Sequence, residues 1–273
     1  MRLSVSNIAW AAEDTDAAYR LMQGFGVKGL EVAPGILFAG YNSPLSASQK
    51  ECDQVRAHAQ SFGLEFTSMQ SLLFGAPGVA LFETHTARRD LINTMQNVIA
   101  LAGRLGVPNL VFGSPKNRII PEGMTHKAAR AIWLDKFRQF GDMAASSGVV
   151  IALEPNPPAY GANFMVTLEE TLEVAQAVDH PAVKVNLDLG GLLLTNEIEK
   201  IEEFLAFGPA HYSHAHISVP HLAPVTAVEP AVPRFLAALA RSGYENWVSI
   251  EMRQNFTALP AAILACQDAE TGK

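Results

Sequence analysis

The chain has little cysteine, little charge and no long apolar run, and each shortage excludes something. Two cysteines in 273 residues, Cys52 and Cys266, make neither a disulfide framework nor a metal-ligand spacing, which fits a reducing cytoplasm. Charged residues are 17% of the chain and sum to −7, so a generic phosphate-backbone binder is excluded and no nucleic-acid partner is expected. The longest apolar stretches, such as Gly191–Leu194, fall far short of the ~20 residues needed to cross a bilayer, so no membrane partner is expected either. Met1–Trp10 has no basic segment followed by an apolar one, so no signal peptide is read and the expected location is cytoplasmic. Ser6-Asn7-Ile8-Ala9-Trp10 has no glycine where a dinucleotide-binding fold would carry its phosphate loop. Hydrophobic residues, at 49%, are enough for a large core.

What is present is a repeated unit: an amphipathic helix, a glycine, then a short β-rich run. Gly26, Gly63, Gly106, Gly148 and Gly243 each stand where a helix would end and a strand begin. Leu91, Met95, Val98, Ala102 and Leu105 share one helical face, as do Trp133, Phe137, Phe140 and Ala144. Ser48 with Glu51, and Thr167 with Glu170, have capping-box spacing. Eight strands are expected, at Leu3–Ser6, Leu30–Ala33, Phe66–Met69, Leu110–Phe112, Val149–Leu153, Val183–Leu187, Tyr212–Ser218 and Trp247–Ile250. Strands without clean polar alternation belong to a parallel sheet covered on both faces. Eight units of ~34 residues close most simply into one (β/α)8 TIM barrel, an α/β fold occupying residues 1–273 as a single domain.

Chemistry in such a barrel sits at the C-terminal ends of the strands. The first polar residues there are Asn7, Glu31, Gln70, Ser114 with Lys116 and Arg118, Glu154, Asp188, His216 and Glu251. Four of them directly follow buried apolar runs: Glu154, Asp188, His216 and Glu251, from strands five to eight. An ionised carboxylate at that position is costly unless paired or metal-bound. Three carboxylates and an imidazole suit one divalent ion, Mn²⁺, Mg²⁺, Co²⁺ or Zn²⁺, with positions left for substrate and water. Taken singly, each of the four would serve equally well as a helix cap or a salt-bridge partner.

The quartet resembles the metal set of the xylose isomerase-like superfamily of TIM barrels, which includes AP endonuclease family 2. Gly29-Leu30-Glu31-Val32-Ala33-Pro34, Met69-Gln70-Ser71-Leu72-Leu73-Phe74-Gly75 and Val111-Phe112-Gly113-Ser114-Pro115-Lys116-Asn117-Arg118 are similar to its bacterial sugar phosphate isomerase/epimerase group. The resemblance implies a divalent-metal-dependent isomerase or epimerase that acts on a sugar or sugar phosphate through a metal-stabilised enediolate. It implies Glu154 and Glu251 as ligands and as acid and base, with Asp188 and His216 as ligands only. The expected partner is a small carbohydrate, with phosphorylation, carboxylation and homo-oligomerisation left open. Candidate substrate contacts are His214, Lys116, Arg118, Gln70, Glu31, Arg253 and Trp10, with Lys116 and Arg118 facing a phosphate or carboxylate. Trp10, Phe74 and the segment 155–160 are expected to line the substrate cleft.

Departures narrow the reaction. Ketose 3-epimerases carry a Glu where this chain has Tyr160, a His where it has Gly191, and an acidic residue where it has Val219. A lyase or dehydratase acting on a keto-sugar or keto-inositol would use the same site. A metal-dependent phosphodiesterase acting on abasic DNA would need further His and acidic ligands, and a less acidic chain.

Overall fold

The computed structural model describes residues 2–226 and 229–271. Eight parallel strands close into a barrel in sequence order: β1 (Arg2–Ser6), β2 (Gly29–Val32), β3 (Glu65–Met69), β4 (Asn109–Phe112), β5 (Val150–Leu153), β6 (Val183–Asp188), β7 (Tyr212–Ile217) and β8 (Trp247–Ile250). β1 pairs with β8 from Arg2↔Trp247 to Val5↔Ile250, which shuts the ring. The chain is therefore a (β/α)8 TIM barrel, and each strand falls within about a residue of its expected place at one end or both.

The local signals act as their chemistry requires. Gly106 (φ 70°) ends the helix His85–Leu105, and the other four repeat glycines are likewise left-handed. Ser48 and Glu51 form the reciprocal capping box. Thr167 caps its helix from Glu170 N, but the Glu170 carboxylate goes to Val166 N, so the second box is incomplete. Leu91, Met95, Val98, Trp133, Phe137 and Phe140 are buried between helices and barrel, as their periodicity requires. Among the described residues no helix is long and apolar enough to cross a membrane.

The barrel interior departs from an apolar core. Ser4 and Thr67 hydroxyls meet at 2.9 Å, and Gln70 Nε2 donates to Ser6 Oγ at 2.7 Å. β1 and β3 are not neighbours, so these bonds cross the interior. Small polar side chains thus build a floor on which ionisable groups can stand with their hydrogen bonds satisfied.

Candidate metal centre

Glu154, Asp188, His216 and Glu251 occupy the C-terminal ends of β5 to β8. His216 is fully buried at the end of β7, and its ring reaches in two directions. Nδ1 lies 3.1 Å from Glu154 Oε1 and 3.3 Å from Glu251 Oε2. Nε2 lies 3.1 Å from Glu31 Oε1, on the far side of the ring. Ligand atoms of Asp188, His216 and Glu251 all lie within 4.8 Å of one another. Glu154 joins them through His216 and through Asn186 Nδ2, which donates to Glu154 Oε1 at 2.8 Å.

Each carboxylate is aimed by its neighbours. Asp188 caps the helix Leu189–Leu194, its Oδ2 accepting from Gly191 N at 2.9 Å, while the Ser218 hydroxyl donates to Oδ1. A Cβ on Gly191 would stand 3.1 Å from Asp188 Oδ2, and one on Gly113 would stand 2.4 Å from Glu154 Oε2. These glycines leave space that the carboxylates fill. Asn156 Nδ2 donates to Glu154 Oε2 at 3.2 Å.

The electrostatics follow from the crowding. Burial, together with the Glu154 and Glu251 charges, raises the Asp188 carboxyl to about 7. Burial likewise raises Glu251, against the opposing pull of His216. Burial alone would lower the His216 imidazole, but Glu31 and Glu251 outweigh it and hold it well above its ordinary value. Burial would also raise Glu31, yet His216 and His214 hold it well below the usual carboxylate range. Burial lowers His214 against the opposing pull of Glu31, with Nε2 at 3.0 Å from Ser249 Oγ and 3.2 Å from Glu31 Oε1. Three carboxylates converging in a buried place with one imidazole carry excess negative charge, and the donor set fits a divalent cation of borderline hardness.

Two groups among the described residues have ligand spacing, Asp188–His216–Glu251 and Glu31–His214–His216, and they share His216. The ring can serve both only in different roles. With its Nε2–H donated to the strongly ionised Glu31, Nδ1 is the nitrogen that can face a cation, the carboxylate–histidine–metal relay.

Several expected substrate contacts lie elsewhere. Glu31, Gln70 and His214 are buried beneath the centre, with Gln70 Nε2 3.3 Å from Glu31 Oε2, and they support His216. Arg118 is a correction. It is fully buried, and its five N–H groups go to the carbonyls of Gly113, Phe164, Met165 and Glu154 and to Asn156 Oδ1. Burial lowers it to about 10, so it stays charged at neutral pH, but no donor is left for a phosphate. Lys116, in the same turn, is exposed. Arg253 is exposed too and binds the His221 carbonyl, clamping the loop after β8 to the loop after β7. Trp10 is a second correction: it is 1% exposed and packs edge-on to Tyr19 between barrel and helix. Of the expected cleft walls, Phe74 stands 89% exposed, and the Tyr160 hydroxyl accepts from His221 N at 2.8 Å.

The sequence pattern does not single out Asn186, Ser218 or Ser249, and it offers Asn156 only as part of the cleft segment 155–160. Asn186 and Ser249 each precede a candidate ligand on their own strand by two residues, the alternation that places both side chains on one face.

A sequence model described as "Xylose isomerase-like TIM barrel" matches residues 20–267. The chain belongs to that family. Solved structures agree on the fold. D-psicose 3-epimerase of Clostridium cellulolyticum H10, with D-tagatose, superimposes with a TM-score of 0.78 at 17% identity, over 100% of this chain and 99% of that one. The 3-keto-D-glucoside 4-epimerase YcjR of E. coli gives 0.79 at 16%, over 99% of both chains. The IolI protein, described with a bound zinc atom, gives 0.69 at 18%, over 99% of this chain and 96% of that one. No curated protein sequence matches the chain.

Proposed function

We propose that this member of the xylose isomerase-like family is a divalent-metal-dependent sugar isomerase or epimerase, with Glu154 and Glu251 as the proton-transfer pair. The observation that carries the reading is the convergence of both glutamates on His216 Nδ1, at 3.1 and 3.3 Å, from strands three apart in the ring. Two of the similar folds belong to sugar epimerases and a third is described with zinc, which supports the same reading.

Glu154, Asp188, His216 through Nδ1, and Glu251 would hold the ion. When bound, it would polarise a substrate carbonyl and acidify the adjacent C–H. Glu31 keeps the proton on His216 Nε2, and loading requires Nδ1 to give up its own. Glu154 and Glu251 each have side chains about one-tenth exposed, buried enough to exclude bulk water and open enough to meet a substrate. One takes the proton from substrate carbon and the other returns one, with Asn186 and Asn156 fixing Glu154 in place. Free ketohexose 3-epimerisation is disfavoured, because Gly191 and Val219 supply no polar side chain where those enzymes have one.

The test is NMR of metal-loaded protein with a panel of keto-sugars in deuterium oxide. Solvent deuterium should enter one substrate C–H, with product mass otherwise conserved. Glu154→Gln and Glu251→Gln should each lose about 10²-fold or more of the exchange while still binding metal. Exchange at the wild-type rate in metal-loaded Glu251→Gln would refute its proton-transfer role. Loss of water from the product would reassign the site to a dehydratase.

A further inference from the structure

The loops after β1, β2 and β3 enclose a second feature at the same end of the barrel. A cavity of about 380 Å³ is walled mainly by apolar side chains, Ile8, Pro34, Ile36, Leu45, Leu72 and Phe74, with Asn42, Ser43 and Ser71 as its polar ones, and no ionisable side chain lines it. Ser71, at φ 55°, turns the chain after β3, and Phe74 N closes the turn on Ser71 O at 3.1 Å. That turn raises Phe74 into solvent, 89% exposed. A large ring standing free beside an apolar cavity leaves apolar surface on both sides unburied.

The cavity is linked to the carboxylate centre. Ser71 on its wall donates to Gln70 Oε1 at 3.3 Å, Gln70 reaches Glu31 at 3.3 Å, and Glu31 holds His216 at 3.1 Å. The loop after β8 is tied to the loop after β1, Asn255 N donating to Ala9 O at 2.8 Å. No cation lines this wall: Arg118 is spent on carbonyls, and Arg253, held to the His221 carbonyl, and the exposed Lys116 lie outside it.

We infer that the cavity receives an uncharged, apolar substituent of the substrate, so that the sugar transformed at Glu154 and Glu251 is a glycoside or similar derivative with an apolar tail rather than a sugar phosphate. The inference rests on the barrel mouth being the sugar site. Its chemistry is that of a small-molecule pocket, where an apolar wall takes the hydrophobic part of a ligand and a few polar groups fix the rest. Phe74 folds over the substituent and covers its outer face.

The test is binding to the metal-loaded full chain, by saturation-transfer NMR and calorimetry. The probes are phenyl and methyl β-glycosides of glucose, galactose and mannose, with the corresponding hexose 6-phosphates. In at least one sugar the phenyl glycoside should bind about tenfold or more tighter than the methyl one, with saturation strongest on the phenyl protons. Phe74→Ala and Ile36→Ala should shrink that preference to about twofold or less, with the fold unchanged by circular dichroism. Equal phenyl and methyl affinities in every sugar, a phosphate binding tighter than both, or an undiminished preference in Phe74→Ala would overturn the inference. So would a Phe74→Ala variant that changes only the sedimentation of the protein, which would make the cavity a contact between copies. Deuterium exchange without a phenyl preference rejects the pocket and keeps the reaction. A phenyl preference without exchange does the reverse.

Discussion

His216 is the residue on which the centre turns, because its two nitrogens face groups of opposite fate. Nε2 meets Glu31, held well below the usual carboxylate range, and Nδ1 meets glutamates that are free to bind a cation. Glu31→Gln keeps the shape but removes the charge that fixes the tautomer. It should weaken Mn²⁺ binding about 10- to 100-fold, read by competition against a fluorescent chelator. Unchanged affinity would mean that Glu31 only fills space. Asp188 makes a second prediction. Its folded value is about 7, above the ordinary ~3.9 expected unfolded. A raised carboxyl contributes stability that is present below the unfolded value and lost as pH rises through the folded one. Metal-free protein should therefore melt at lower temperature at pH 8 than at pH 5, and Asp188→Asn should flatten that slope in calorimetry with a chelator present.

Among the elements, the turn Pro115–Arg118 after β4 decides the placement of Glu154. Arg118 reaches back beneath β5 and binds the Glu154 carbonyl at 3.0 Å and Asn156 Oδ1 at 2.7 Å. Arg118→Met would leave buried oxygens without donors, at a cost of about 3 kcal/mol or more in chemical unfolding. Arg118→Lys should recover little, because an ammonium cannot spread its donors over the same oxygens. The strands were legible because apolar runs buried on both faces look alike in any parallel barrel, and Glu154, Asp188, His216 and Glu251 were legible because each breaks such a run at its end. Arg118 was not. A loop arginine reads as a solvated charge, and besides Gly113 nearby it takes acceptors at Glu154, Asn156 and Phe164, 36 to 46 residues away, to draw it inside. Ser4, Ser6, Thr67 and Ser249 read as ordinary strand residues for the same reason. Their partners lie on or just past other strands, and Ser4 and Ser6 reach past β2 to Thr67 and Gln70.

At the scale of the whole molecule, the barrel brings residues from Glu31 to Glu251 onto one imidazole, so the proposed metal binding would be linked to folding. The unfolded chain has no such site, and a bound ion stabilises the fold by mass action, about 2.7 kcal/mol at a hundredfold excess over Kd. For a chain of this size that is a rise in Tm of about 5 °C, reversed by a chelator. The same closure places the apolar cavity and the charged centre at one mouth, on opposite arcs of the strand order. The central claim, that the centre holds its ion on the Nδ1 side of His216, is tested most directly by anomalous scattering from Mn²⁺-soaked crystals. The account predicts one peak per chain, between Glu154, Asp188, His216 Nδ1 and Glu251. A peak on the Nε2 side, between Glu31 and His214, or no peak with those side chains intact, would contradict it.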